Sequence, residues 1–241
     1  MTGYDTSTFS VVGRCPDTGM VGVAVASAVP CVGAMCVYTR AGAGAAASQA
    51  RVNPYLAFEA LDRLAAGATA GDALAQLLAI DPAAERRQVG VVGLAGPGAS
   101  HTGALCRTPS GHRTGDGVAV QGNTLVGTET LDAMLEAFAA SAGEPLPERL
   151  LGALAAGDAA GGDLRGRQSA ALQVAWTEDY PYVDIRVDDH TEPIAEVGRI
   201  LGLVRRDLLP FIAMLPVRGD WADRLDEAAM ALLRGGPEER G

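Results

Sequence analysis

Thr8 opens the run Thr8-Phe9-Ser10-Val11-Val12, and a threonine in that place can do chemistry. If the peptide bond before it is cut, its hydroxyl becomes a nucleophile and its own α-amine, with an ordinary pKa of about 8, the base that activates it. Hydrolysis of an amide by such a pair also needs donors for the developing oxyanion. Asn123, with the backbone amides of Gln121-Gly122-Asn123 or of Ser48-Gln49, supplies candidates, and His112 is a further acid–base candidate. In the loop 157–169, Arg165 and Arg167 can clamp a substrate carboxylate and Asp163 a substrate amine. Gln49, Asn53 and Gln121 complete the candidate binding set.

Each of these residues also has a plain structural use. Threonine favours strands, asparagine at 123 suits a turn, and Asp163, Arg165 and Arg167 can order a glycine-rich loop by pairing with one another. Asn53 precedes Pro54 and reads as the cap of a helix. Other chemistries are less well provided. Asp188-Asp189-His190 with His112 or His101 makes a thin metal set that doubles as a helix-start signal; no metal and no cofactor is expected. No GxSxG elbow occurs, and Gly42-Ala43-Gly44 lacks the spacing of a dinucleotide loop. The chain contains no lysine, which excludes a lysine nucleophile or Schiff base.

The elements that must position these groups are legible in outline. Phe9 and Val11, then Val21, Val23 and Val25, alternate with small or polar residues on either side of Pro16-Asp17-Thr18-Gly19, the pattern of a hairpin. Ala34 to Arg40 alternates like a third strand, and Gly42 to Ala47 can pair beside it. A helix starts after Asn53 and stops at Gly67, and a second is capped by Thr69. Val89 to Leu94 and the residues around His101 and Thr102 form another hairpin, and Val118 to Asn123 a strand. Thr128 caps a helix through Phe138, and a further helix spans about 147–156. Two last strands, 170–176 and 182–187, precede a helix capped by Thr191. Hairpins followed by helix pairs, twice over, predict an α+β fold: a four-layer α-β-β-α sandwich of two antiparallel sheets.

Composition agrees. With 241 residues, 48% of them hydrophobic but only 5% aromatic, the core must pack small side chains closely. The formal charge of −10 argues against nucleic-acid or anionic-membrane partners and for a small-molecule substrate. Four cysteines without paired CxxC spacing read as buried thiols. No leader and no membrane span is evident, so a cytoplasmic protein is expected. Leu208 to Leu215 (LLPFIAML) suits either a core helix or a homo-oligomer interface.

The motifs TFSVVGRCPDTGMVGVAVAS, ASQARVNP, ERRQVGVV, TGALCRTPSGHRTG, VQGNTLVG, GDAAGGDLRGRQSAAL and DIRVDDHTEPIAEV, in this order, resemble the bacterial and archaeal domain of unknown function 1028. The resemblance spans about residues 8–205 and implies a fold like the N-terminal nucleophile (Ntn) hydrolases; it brings no substrate. In many members the motif equivalent to TFSVV directly follows the initiator methionine or a signal peptide, whereas here Thr2 to Ser7 intervene. Thr8 is therefore a terminal nucleophile only once residues 1–7 are removed or if translation starts later. The expected organisation is an extension or propeptide (1–7), an Ntn-like domain (8–205) and a C-terminal helical extension (206–241). Two functions follow: an amidohydrolase of small amides, lactams or peptide-like compounds, or a noncatalytic binding or scaffold protein on the same fold. A homo-oligomer whose site is completed by a neighbour is a variant of the first.

Overall fold

The hairpin forms where the alternation puts it. β1 (Thr8–Arg14) and β2 (Val21–Ser27) pair antiparallel from Arg14 opposite Val21 to Thr8 opposite Ser27. Their turn closes with Cys15 N–H on Met20 O at 2.9 Å and Gly19 N–H on Cys15 O at 3.0 Å; Gly19 takes φ 72°, which glycine adopts freely. The structure, a computed structural model, describes residues 7–222; residues 1–6 of the expected extension and 223–241 of the C-terminal segment lie outside it.

Numbered in chain order, the strands form two antiparallel sheets. One runs β10-β9-β2-β1-β8-β7, with β7 (Gly111–Gly115), β8 (Val118–Asn123), β9 (Ser169–Ala175) and β10 (Val183–Val187). The other runs β3-β4-β5-β6: β3 (Val37–Arg40), β4 (Gly44–Ala50), β5 (Arg87–Gly93) and β6 (Ala99–Thr102). Helices α2 (Pro54–Ala65) and α3 (Ala70–Ile80) cover the four-stranded sheet, packing Leu56, Leu61, Leu74 and Leu77 on Ala46, Val89 and Val91. Helices α4 (Glu129–Ala140) and α5 (Leu146–Ala159) cover the six-stranded sheet so closely that a Cβ on Gly13 would lie 2.7 Å from the Phe138 ring. The fold is the four-layer α-β-β-α sandwich.

Local signals hold in part. Asn53 accepts the Tyr55 N–H at 3.1 Å and Thr69 the Asp72 N–H at 3.1 Å, as helix caps do. Thr128 differs: its backbone is already helical and its side chain makes no cap bond. Ahead of α6 (Pro193–Leu203), His190 Nδ1 rather than a threonine takes the Glu192 N–H, at 2.9 Å. Residues 34–36 belong to a short helix, α1 (Gly33–Cys36), not to a strand; a Cβ on Gly33 would meet Ala171 at 2.4 Å, so the chain must turn there in close contact with β9. Gly111–Gly115, in a Gly- and Arg-rich stretch given no element from sequence, is a strand because β8 offers it a partner. The expectation of buried thiols holds for Cys15, Cys36 and Cys106 but not for Cys31, which the structure exposes.

The chain divides into two compact units between Gly198 and Arg199. The second, as described, holds the end of α6, a π turn (Val204–Leu208) and α7 (Leu209–Ile212). Among the described residues no helix is long and apolar enough to cross a membrane.

Candidate functional site

Because side chains alternate along a strand, Thr8, Ser10 and Val12 of β1 face the opposite sheet while Phe9, Val11 and Gly13 face α4 and α5. Away from Thr8 this inter-sheet layer is apolar: Val12, Val23, Val25, Ala45, Ala47 and Val92 are all fully buried. At the Thr8 end it is polar. Ser10 Oγ donates to Gln49 Oε1 at 2.7 Å and accepts from Gln121 Nε2 at 2.6 Å. Gln49 Nε2 donates to Thr8 O at 3.1 Å and to Gln88 Oε1 at 2.8 Å, and Asn123 Nδ2 donates to the same Gln88 oxygen at 2.9 Å. Gln88 Nε2 donates in turn to Gly122 O at 2.8 Å and Thr102 Oγ1 at 3.0 Å. The layer is tight enough that a Cβ on Gly90 would stand 2.2 Å from Gln121 Oε1, so only glycine lets Gln121 cross it.

Thr8 itself is fully buried. Strand register sets it in a row with Asn123 on one side and Ser27 and then Ser169 on the other. Its Oγ1 donates to Ser27 Oγ at 3.4 Å, and Ser27 Oγ donates to the carbonyl of Ser7 in a short hydrogen bond. Arg165 Nη2 donates to that same carbonyl at 3.3 Å. The peptide bond before Thr8 thus has two donors on its oxygen, one of them cationic. Asp163 aims Arg165: its carboxylate is buried and accepts from Arg165 N at 2.9 Å, Arg165 Nη2 at 3.2 Å and Ala28 N at 3.4 Å.

Of the residues singled out in the sequence, the fold gathers Thr8, Gln49, Gln121 and Asn123, and brings Asp163 and Arg165 to them through Ser7. His112 stands one step off, its Nδ1 3.0 Å from Thr102 Oγ1. Burial, then the charges of His101 and Arg113, hold its pKa below the ordinary histidine value. Asn53 and Arg167 serve elsewhere. Asn53 caps α2, and Arg167 bridges Asp158 at 3.1 Å and Glu192 at 2.5 Å; burial raises the Asp158 carboxyl against the pull of Arg167. Asp188 is tied to Arg186 at 2.9 Å, and among the described residues no three histidine, cysteine, aspartate or glutamate side chains converge to hold a metal.

Ser10, Ser27 and Gln88 are site residues that sequence reasoning passes over. Ser27 had a signal: a hairpin pairing Arg14 with Val21 must pair Thr8 with Ser27. Gln88 had none, because its place depends on which sheet faces which.

A profile described as a family of unknown function (DUF1028) matches residues 8–197 of this chain. The chain belongs to the DUF1028 family. The crystal structure of protein SPO2555 from Silicibacter pomeroyi, of the same DUF1028 family, is similar to it at 31% identity with a TM-score of 0.82, over 91% of this chain and 100% of that one. No curated protein matches the chain. The match covers every element that builds the Thr8 row, from β1 to β9, so the row sits in the part of the chain that defines this DUF1028 protein.

Proposed function

We propose that this DUF1028 protein is an Ntn-type amidohydrolase of small amide, lactam or peptide-like compounds, with Thr8 as nucleophile after removal of residues 1–7. The observation that carries the reading is the Ser7 carbonyl, held by Ser27 Oγ and Arg165 Nη2 beside the Thr8 hydroxyl. Two donors on a carbonyl oxygen stabilise the negative charge that grows when its carbon is attacked. In self-cleavage Thr8 Oγ1 attacks the Ser7 carbonyl carbon, and its proton passes by way of Ser27 to the departing Thr8 nitrogen. The C–N bond breaks, an ester forms, and water hydrolyses it to leave a carboxylate at Ser7 and a free amine on Thr8. The same donors then serve a substrate carbonyl, with the freed amine as base. Gln49 and Asn123 hold the strand ends around Thr8 rather than touch the reacting atoms.

A second reading, a noncatalytic binding or scaffold protein, is favoured by the burial of Thr8 and by the mutual pairing of Gln49, Gln88, Gln121 and Asn123, which is what a structural polar layer requires. Intact mass and N-terminal sequencing of the purified, untagged protein separate the two. The hydrolase reading expects wild-type protein beginning at Thr8, Thr8→Ala retaining residues 1–7, and Ser27→Ala processed more slowly. Wild-type protein that keeps residues 1–7 leaves Thr8 without its base and sinks the terminal-nucleophile mechanism.

A further inference from the structure

Ser7, the residue before the bond to be cut, is as fully buried as Thr8. Its carbonyl is well provided for, with Ser27 Oγ and Arg165 Nη2 both donating to the oxygen. Its hydroxyl is not. Ser7 Oγ is sealed from solvent and, among the described residues, has no hydrogen-bond partner. The polar groups of the site are committed elsewhere: Ser27 Oγ to the Ser7 carbonyl, Arg165 Nη2 to that carbonyl and to Asp163, and Ser169 Oγ, next along the row, to Val29 O at 2.6 Å. A hydroxyl that gives up water and finds nothing to bond costs free energy, so the space it fills suits a carbon atom better.

Self-cleavage makes Ser7 the first acyl group that the site handles. Before the cut the chain is its own bound substrate: the Ser7 carbonyl is the one attacked, and the Ser7 side chain stands where a substrate's would, on the carbon next to that carbonyl. A close-packed interior takes added carbon only by displacing its neighbours. The enclosure of Ser7 therefore limits the size of that side chain, and the unmatched hydroxyl shows which chemistry it should have.

We infer that the mature site takes amides whose acyl group carries, on the carbon next to the carbonyl, a side chain no larger than hydroxymethyl, with methyl preferred. The inference rests on the Thr8 mechanism above. In each turnover Thr8 Oγ1 attacks the acyl carbonyl as the Thr8 amine takes its proton; the C–N bond breaks, the proton passes to the departing nitrogen, and an ester forms on Thr8. Water then hydrolyses the ester, releasing the small acid and restoring the hydroxyl. A side-chain hydroxyl is stripped of water equally in the bound substrate and in the transition state, so it raises KM and leaves kcat alone. A bulky side chain pushes the carbonyl off its two donors, so it lowers kcat.

Two measurements test this. Full-length, untagged chains made by in vitro translation are followed by intact mass: Ser7→Ala should lose residues 1–7 at a rate within about twofold of wild type, and Ser7→Leu at least about tenfold more slowly. Mature wild-type protein is then given the p-nitroanilides of N-acetylalanine, N-acetylserine and N-acetylleucine. The alanine compound should have the highest kcat/KM, the serine compound one roughly fivefold lower through KM alone, and the leucine compound one at least about tenfold lower with a reduced kcat. The anilides need no substitution, so a misfolded Ser7→Leu does not blunt the test. Wild-type protein that keeps residues 1–7 overturns the Thr8 mechanism and this inference with it. Processed wild-type protein overturns the inference alone if Ser7→Leu matures as fast as Ser7→Ala, if the leucine anilide is cleaved as fast as the alanine one, or if none of the three is cleaved.

Discussion

The space between the two sheets is filled in two unlike ways. One half holds Val12, Val23, Val25, Ala45, Ala47 and Val92, side chains with nothing to satisfy. The other holds Ser10, Gln49, Gln88, Gln121 and Asn123, no more exposed but bonded to one another and to strand carbonyls. Apolar burial alone stabilises a sandwich without demanding unique partners. An amide layer contributes little net free energy when complete and costs much when broken. The polar half therefore fixes geometry, and it lies directly beneath Thr8.

Perturbing each half tests this contrast. Gln88→Leu should cost the most, about 4 kcal/mol by urea denaturation, because the buried amides of Gln49 and Asn123 each lose the oxygen they share. Gly90→Ala follows at about 3 kcal/mol, since its Cβ meets a Gln121 side chain already locked by Ser10 and Ser100. In the apolar half, Val23→Ala should cost about 2 kcal/mol through lost contact and a small cavity, and should leave the Thr8 end undisturbed. A Val23→Ala cost equal to that of Gln88→Leu would erase the distinction between the halves. The smallest effect belongs to His112, at the edge of the polar half. Its folded pKa lies below the ordinary value of about 6.5, so in acid the unfolded chain binds more protons. Its contribution is complete above about pH 6.5 and declines as pH falls toward the folded value; urea midpoints across that range should flatten in His112→Asn.

How much of this could be read from sequence depends on range. The β1–β2 hairpin, the Asn53 and Thr69 caps and the α2–α3 pair are local matters of alternation, turn residues and side-chain acceptors, and the layered fold follows from their order. β7 and the last residues of β4 escape such reading because neighbours, not propensity, make them strands: Gly111–Gly115 has no pattern of its own, and Gln49 looks like a loop residue until Gln88 pairs with it. The same holds for the site. Thr8 announces itself by position, and Arg165 and Asp163 by charge in a glycine-rich loop. Their meeting at the Ser7 carbonyl depends on the return of residues 163–165 to the hairpin end, anchored by the bridge between Leu125 and Asp163. Asn53 and Arg167 share the residue types of the site but not its place.

The close approach of Gln121 to Gly90 has a consequence for how such sequences can change. Because Gln121 occupies the volume that any side chain at 90 would need, the two positions should vary as a pair across relatives. A residue larger than glycine at 90 is expected only where 121 has shortened, and any lineage making that exchange must also replace the bonds that Gln121 gives to Ser10 and takes from Ser100.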